Sequence, residues 1–380
     1  MQYRTFGKLD WKSSVLGFGA MRLPIVDNDP AKINEPQATE MIRYAIDHGV
    51  NYIDTAHPYH GGQSESFLGR ALCGGCREKV KLATKLPSWF IKASGDFDRY
   101  FSEQLKRLQT DRIDLYLLHG LNKEYWTSLR RLRVLDWAQD RIRKGLIGHL
   151  GFSFHDTFDV FKEIVDAYDD WSFCQIQYNY MDVDYQAGTR GLKYAADKGL
   201  AVVIMEPLRG GQLAKNPPQP VAGLWKTAQR SRTPADWGLQ WVWNHPEVSV
   251  VLSGMSTMQH VIENVASADR SKAGSLTEEE LTLIDRVRDV YRELAPIPCT
   301  NCKYCMPCPN GVNIPRILEI YNDAGMYNDD RVARVAYQWV DKEQRADRCI
   351  ECGQCEDRCP QDIPITQWLK KAHTLLCEEN

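Results

Sequence analysis

VKLATKLPSWFIKASGDFDRYFSEQLKRLQTDRIDLYLLHG, residues 80–120, holds one full structural period of this chain. Its first seven residues and its last eight are apolar runs of strand length. Between them, FDRYFSEQLKRLQ (97–109) repeats apolar residues at helical spacing. Strand, helix, strand is the unit of a parallel sheet. The same beat runs outward in both directions. Strands are expected at VLGFGA (15–20), NYIDTA (51–56), VKLATKL (80–86), IDLYLLHG (113–120), HLGFSF (149–154), FCQIQYNY (173–180), LAVVIMEPL (200–208) and VSVVLSG (248–254). Helical patterns such as PQATEMIRYAIDHG (36–49) and TMQHVIENVASAD (257–269) fall between them, the latter opening on Thr257, a good N-cap type.

Eight strands, each followed by a helix, make a (β/α)8 barrel. A doubly wound open sheet is the alternative, but no dinucleotide fingerprint supports it. GFGAMR (17–22) has arginine where the third glycine should stand and runs into Leu-Pro. A further amphipathic helix is expected at 277–291, and ELAPIPCTNC then reads as a linker. The barrel is therefore assigned residues 1–295 and a second, smaller domain residues 296–380.

The bulk composition narrows the function classes. The chain has 380 residues, 43% hydrophobic and 26% charged, with a formal net charge of −3. That balance gives no electrostatic footprint for nucleic acid or an anionic membrane. No run of about 18 apolar residues suggests a membrane span, and the N-terminal segment lacks a secretory core. A cytoplasmic setting is expected.

Twelve cysteines is a high count. Cys299, Cys302, Cys305 and Cys308 form one quartet, closed by Pro309. Cys349, Cys352, Cys355 and Cys359 form a second, closed by Pro360. Such quartets read as ligands for two [4Fe–4S] clusters. Where two clusters share a fold, the fourth cysteine of each run usually serves the other cluster. Cys359 would then join Cys299, Cys302 and Cys305, and Cys308 would join Cys349, Cys352 and Cys355. The first quartet departs slightly, since two residues rather than three separate Cys305 from Cys308. A pair of four-cysteine zinc sites is the alternative. The helical spacer at 310–348 is similar to that of α-helical ferredoxin domains. Cys73 and Cys76 sit in a glycine-rich turn and Cys174 in an apolar strand, and all three are expected to be structural.

Barrel active sites lie at the C-terminal ends of the strands. There the sequence places Asp54, Tyr59, Lys85 and His119. A strand-end aspartate, lysine or histidine alone is more often structural than catalytic; four on consecutive strands are a different matter. A tyrosine near an ammonium should have its pKa lowered, an aspartate can hold that ammonium, and a histidine can orient a carbonyl.

Together NYIDTAHPY, LATK and LYLLHG resemble the aldo-keto reductase family over about residues 1–290, and carry its Asp–Tyr–Lys–His tetrad. The resemblance implies a (β/α)8 reductase of aldehydes or ketones using NADPH or NADH, with Tyr59 giving the proton. It also implies cofactor-binding residues. Gly19, Ala20, Met21 and Arg22 match the loop after the first barrel strand. Ser153 and Gln177 match residues that hold the carboxamide, although Phe154 replaces the asparagine that follows the serine. Met205 stands where many members place a stacking tyrosine. Pro207, Leu208, Arg209, Gly210 and Gly211 match the pyrophosphate loop. Ser253, Gly254, Ser256, His260, Glu263 and Asn264 match the adenosine-side motif. Gly254 and His260 fall where members selective for NADPH carry lysine and arginine, so NADH is admitted as well.

His57 and His60 flank this region and are expected to line the substrate pocket or the surface; a zinc site is the less favoured reading. Trp89 is a candidate pocket wall. Nicotinamide gives electrons in pairs and each cluster takes one, so the clusters are expected to be structural, to dock a redox partner protein, or to carry electrons elsewhere. The alternative function is an electron-transfer or interaction protein with the barrel as platform.

Overall fold

Alternating apolar residues on short strands need a partner face, and here the sheet supplies its own by closing. The computed structural model, which describes residues 1–299 and 301–377, contains eight parallel strands in a closed barrel. An antiparallel ribbon precedes them: β1 (Tyr3–Thr5) and β2 (Lys12–Ser14). The barrel strands are β3 (Leu16–Gly19), β4 (Tyr52–Asp54), β5 (Lys81–Leu86), β6 (Ile113–Leu121), β7 (Ile147–Phe154), β8 (Phe173–Gln177), β9 (Ala201–Met205) and β10 (Val248–Ser253). Neighbours pair in sequence order, and β10 closes the ring against β3 and β9.

The barrel interior is a packed core. Tyr52, Leu115, Leu117, Phe173, Val203 and Val250 meet there, and Phe6, from the turn between β1 and β2, is fully buried among them. The ribbon, which the sequence pattern did not announce, thus supplies a core side chain. Gly17 lies where a Cβ would come within 2.8 Å of Leu252 and Val250, so only glycine fits that layer.

Helices α1 (Glu35–Asp47), α2 (Ser64–Ala71), α3 (Gly95–Leu108), α4 (Lys123–Arg131), α5 (Val134–Arg143), α6 (Phe158–Asp166) and α7 (Gly188–Asp197) follow the strands in turn. The segment α8 (Gln219–Trp225) precedes α9 (Pro234–Trp243) and α10 (Met258–Asp269). Thr257 caps α10 as expected, its side chain accepting from the His260 N–H. Strands β8 and β9 stop short of the expected ends. Beyond β9 the backbone turns at Glu206, whose φ is +53°.

The chain divides into two units. Met1–Ala214 with Arg232–Thr277 form the barrel unit; Lys215–Ser231 with Glu278–Asn380 form the second. The helix expected at 277–291 is present as α11 (Glu278–Glu293), and it groups with the second unit rather than with the barrel. That unit also contains α12 (Ile314–Tyr327), α13 (Asp330–Gln338) and α14 (Ile365–Cys377). Its core gathers Val312, Ile317, Leu318, Tyr337, Ile363 and Leu369, with six cysteines packed at its margin. Buried Asn322 fastens the linker by a reciprocal pair of hydrogen bonds to the Ile297 N–H and carbonyl, at 2.9 and 2.8 Å. Among the described residues no helix is long and apolar enough to cross a membrane.

Candidate active site

The C-terminal ends of β4, β5 and β6 bring three of the tetrad residues together, and the turn after β4 adds Tyr59. Lys85 is wholly buried, which an ammonium tolerates only when its donors are used. Its Nζ donates to Asp54 Oδ1 at 2.6 Å, to the Thr55 carbonyl at 2.8 Å and to the Tyr59 hydroxyl at 3.3 Å. Tyr59 therefore accepts from Lys85 and keeps its own O–H free to donate. The His119 ring stands edge-on to Tyr59, centroids 6.2 Å apart. His119 Nδ1 and Asp54 Oδ2 are buried without a hydrogen-bond partner among the described residues.

Burial raises the Asp54 pKa against the opposing pull of Lys85. Burial also opposes the charge on Lys85, but Asp54 and Tyr59 outweigh it and the ammonium is favoured. At Tyr59 the direction differs from the expectation. Burial and the Asp54 charge outweigh the attraction of Lys85, so its pKa rises rather than falls. Tyr59 is thus a proton-bearing phenol at neutral pH. His119 is held neutral, well below its usual range, by burial first and then by Lys85, His155 and His57.

A cavity of about 320 Å³ opens over these groups. Asp54, Tyr59 and His119 line it, and so do Gly19, Met21, Arg22, Ser153, Met205, Pro207, Leu208, Gly211, Ser253 and Gly254. Gln177 does not. Its Nε2 donates to Asp182 at 2.9 Å, and Gln175, two residues earlier and one layer deeper in β8, forms the wall instead. Gln175 Nε2 lies 3.6 Å from Met205 Sδ, and its Oε1 is buried without a partner among the described residues. A primary carboxamide donor would satisfy that oxygen, so the wall fits a nicotinamide. Phe154, in place of the expected amide, packs in the core against Phe161 with centroids 5.2 Å apart.

Arg22 is the cation of this wall. It lies 3.7 Å from Glu206, and its stem packs on Gly254, where a Cβ would come within 3.1 Å. The sequence reading missed Gln175, Glu206, His155 and Leu252, all on the cavity, which Gly210 of the expected pyrophosphate loop also lines. Alternation from Phe173 through Gln175 marked the first of these.

Other expected residues stand one step back. Ala20 is buried, its carbonyl accepting from the Ser64 hydroxyl. Arg209 pairs with Asp182 at 3.4 Å. Asn264 donates to the Ser253 hydroxyl at 3.0 Å, and Glu263 accepts from Gln259. Ser256 and His260 meet each other, 3.4 Å apart, at the exposed N-terminal end of α10. His60 is not a pocket wall. Its Nε2 accepts from the Leu23 N–H and its Nδ1 donates to the Pro30 carbonyl, so both ring nitrogens serve the backbone. Trp89 is half-buried, its ring centroid 4.9 Å from that of His119. Cys174 is a core residue, and Cys73 and Cys76 flank a turn whose two glycines have positive φ.

In the second unit the cysteines surround two voids. Cys299, Cys302, Cys305 and Cys359 line one and Cys308, Cys349, Cys352 and Cys355 the other, each of about 20 Å³. Each void therefore takes three thiols from one quartet and one from the other, the arrangement the spacing suggested. Four thiols around one void are the donor set that a [4Fe–4S] cluster requires. Among the described residues no three His, Cys, Asp or Glu side chains are placed to hold a single metal ion.

The sequence matches known families in both units. The model of the aldo/keto reductase family matches residues 15–289, and that of a 4Fe-4S dicluster domain matches residues 298–363. The uncharacterized oxidoreductase YrpG of Bacillus subtilis is 26% identical over 313 residues, covering 71% of this chain and 92% of its own. L-galactose dehydrogenase of Arabidopsis thaliana is 26% identical over 317 residues, covering 77% and 96%. A solved aldo-keto reductase of Bacillus halodurans, in its holo form, superposes with a TM-score of 0.63 at 26% identity, over 76% of this chain and 96% of its own.

Proposed function

This chain belongs to the aldo/keto reductase family, and from that premise we propose that it reduces an aldehyde or ketone with NADPH or NADH, reversibly, taking the proton from Tyr59. The observation that carries this reading is the buried contact of Tyr59 with Lys85, itself held by Asp54, on the wall of a cavity shared with His119. When bound, the nicotinamide supplies a hydride to the carbonyl carbon. The chain's own residues do the rest. Tyr59 gives its phenolic proton to the carbonyl oxygen, and Lys85 stabilises the phenolate left behind. Asp54 keeps the ammonium charged and in place. Neutral His119 presents its edge to the same oxygen and orients it. Gln175 and Ser153 hold the carboxamide, and Met205 covers the ring with a polarizable thioether. Tyr59→Phe tests the reading. Carbonyl-dependent NAD(P)H oxidation should vanish while cofactor binding persists, and full activity in that variant overturns it.

Two [4Fe–4S] clusters fit the cysteine-lined voids, held by Cys299, Cys302, Cys305 and Cys359 and by Cys308, Cys349, Cys352 and Cys355. Each would exchange one electron at a time. Since a hydride carries two, we assign the clusters a structural, docking or separate electron-transfer role. The exposure of Cys302 and Cys352, one at each void, favours a second reading in which a redox partner docks on this unit. Anaerobic mixing with NADH or NADPH and a carbonyl panel tests the cluster role. Nicotinamide oxidation with unchanged cluster absorbance supports structural or docking clusters, and cluster bleaching by the nicotinamide supports an internal electron path.

A further inference from the structure

The outer face of the strand that carries Lys85 holds a buried carboxylate that the chemistry above does not use. Strand side chains alternate, so Lys85 points into the barrel and Thr84 points out beneath the helices. There Glu65, from α2, is fully buried. Its Oε1 accepts from the Thr84 hydroxyl at 2.6 Å and from Gln104 Nε2 at 2.8 Å. Its Oε2 accepts from Arg107 Nε at 2.8 Å, and Arg107 Nη2 lies 2.7 Å from the same oxygen as an ion pair. Gln104, also fully buried, reaches on to the Lys85 carbonyl at 2.9 Å, while its own Oε1 accepts from Tyr116 at 2.8 Å. Arg107 reaches in the other direction, placing Nη2 2.9 Å from His57 Nδ1.

His57 lies two residues before Tyr59. A guanidinium can only donate, so Nδ1 of His57 must accept, and the ring proton sits on Nε2. The ring is further fixed edge-on to Phe90 and Tyr100, with centroids 5.9 and 5.4 Å away. One carboxylate therefore anchors two arms, one ending on the main chain of Lys85 and the other on the segment that presents Tyr59. We propose that Glu65, Gln104, Arg107 and His57 form a positioning relay that sets the Lys85–Tyr59 contact from outside the barrel, with His57 as its hydrogen-bond-accepting end. The relay rests on the carbonyl-reductase reading above and adds to it residues that touch neither substrate nor cofactor.

The relay has a titratable joint. A protonated His57 would carry a donor where Arg107 already donates, and the two cations would repel. The charged groups facing His57 are Arg107, Glu65, Glu103 and Arg99, and His119 also lies within its field. Burial first, and then Arg107, hold its pKa below the ordinary value. As pH falls through that lowered value, the joint opens and Tyr59 loses its register against Lys85. Loss of the proton-bearing phenol, by contrast, acts at high pH, so the two limbs of the profile stand apart.

The test is the pH profile of kcat/KM for carbonyl reduction by the full, cluster-loaded protein and two variants. The wild type should show an acid limb, falling about tenfold per pH unit below a breakpoint under the ordinary histidine value of about 6.5. H57Q keeps an acceptor at every pH and should lose that limb; H57A should be slowed about tenfold or more across the whole range, chiefly in kcat. An identical limb in H57Q overturns the proposal. Side-chain nitrogen NMR of the wild type supplies a readout independent of any variant's folding. A neutral His57 protonated at Nε2 is expected, and protonation at Nδ1 at neutral pH overturns the relay. Absence of turnover with any carbonyl fells the functional reading and the positioning role with it, whereas turnover with an unmoved limb fells the relay alone.

Discussion

Lys85 Nζ stands 2.6 Å from Asp54 Oδ1, both side chains buried, and the second carboxylate oxygen of Asp54 has no partner among the described residues. The pair is thus a charged contact with one unspent acceptor, placed where Asp54 meets the cavity. Removing one member strands the other. Lys85→Met should destabilise the barrel by about 3–5 kcal/mol, because it leaves a buried carboxylate unpaired. Asp54→Asn keeps the shape and an acceptor and should cost less. Both should lower kcat by about 10²–10⁴. Urea unfolding beside steady-state kinetics checks this, and equal stability loss in the two variants would contradict the ion-pair account.

The raised pKa of Tyr59 fixes the sign of the alkaline response. Reduction needs the protonated phenol, so its rate should hold through neutral pH. It should fall only as pH rises through a value above the ordinary tyrosine value of about 10. Alcohol oxidation needs the phenolate and should rise with pH over the same span. Single-turnover rates in both directions would reveal the opposing trends, and an alkaline limb near pH 8 would show that Lys85 dominates after all.

Gln175 rather than Gln177 should govern cofactor affinity. Its unpartnered Oε1 faces the space that a carboxamide would fill, whereas Gln177 is engaged with Asp182. Gln175→Ala should weaken NAD(P)H binding by about 1 kcal/mol, roughly fivefold. Fluorescence titration decides, and the order of effect between the two alanine variants is the discriminating result.

The two voids predict which cysteines fail together. On the proposed occupancy, a Cys302→Ser, Cys359→Ser double variant should lose one cluster and retain about four irons per chain. A Cys302→Ser, Cys355→Ser variant should lose both. Iron analysis with low-temperature spin resonance after anaerobic reconstitution separates this from the alternative in which each quartet serves its own void. In that alternative, Cys302→Ser with Cys359→Ser would empty both.

Much of this was legible in the sequence because period and chemistry coincided. The eight strand cores emerged from apolar runs, and the tetrad from ionisable residues at their ends. Failures arose where a side chain's role depends on depth rather than pattern. Gln175 and Gln177 share a face of β8, and only the cavity's position tells which one meets it. His60 looked like a pocket residue because it follows Tyr59, yet tertiary contacts turn both its nitrogens to the backbone of the segment before α1. The direction of the Tyr59 pKa was misjudged because proximity of a cation is visible in sequence and burial is not. The β1–β2 ribbon escaped because strands of three residues carry no period, although Phe6 plugs the core. The grouping of α11 with the second unit had no compositional mark.

Each cysteine-lined void draws a thiol from the far side of a helical spacer, Cys359 for one and Cys308 for the other. During synthesis, Cys299, Cys302 and Cys305 must therefore wait until the spacer and the second quartet as far as Cys359 have been made before their ring can close. Neither void is complete while the other's neighbourhood is unfolded. Loading should accordingly be all-or-none with respect to the folding of α12 and α13, so iron content would report the integrity of this unit as a whole.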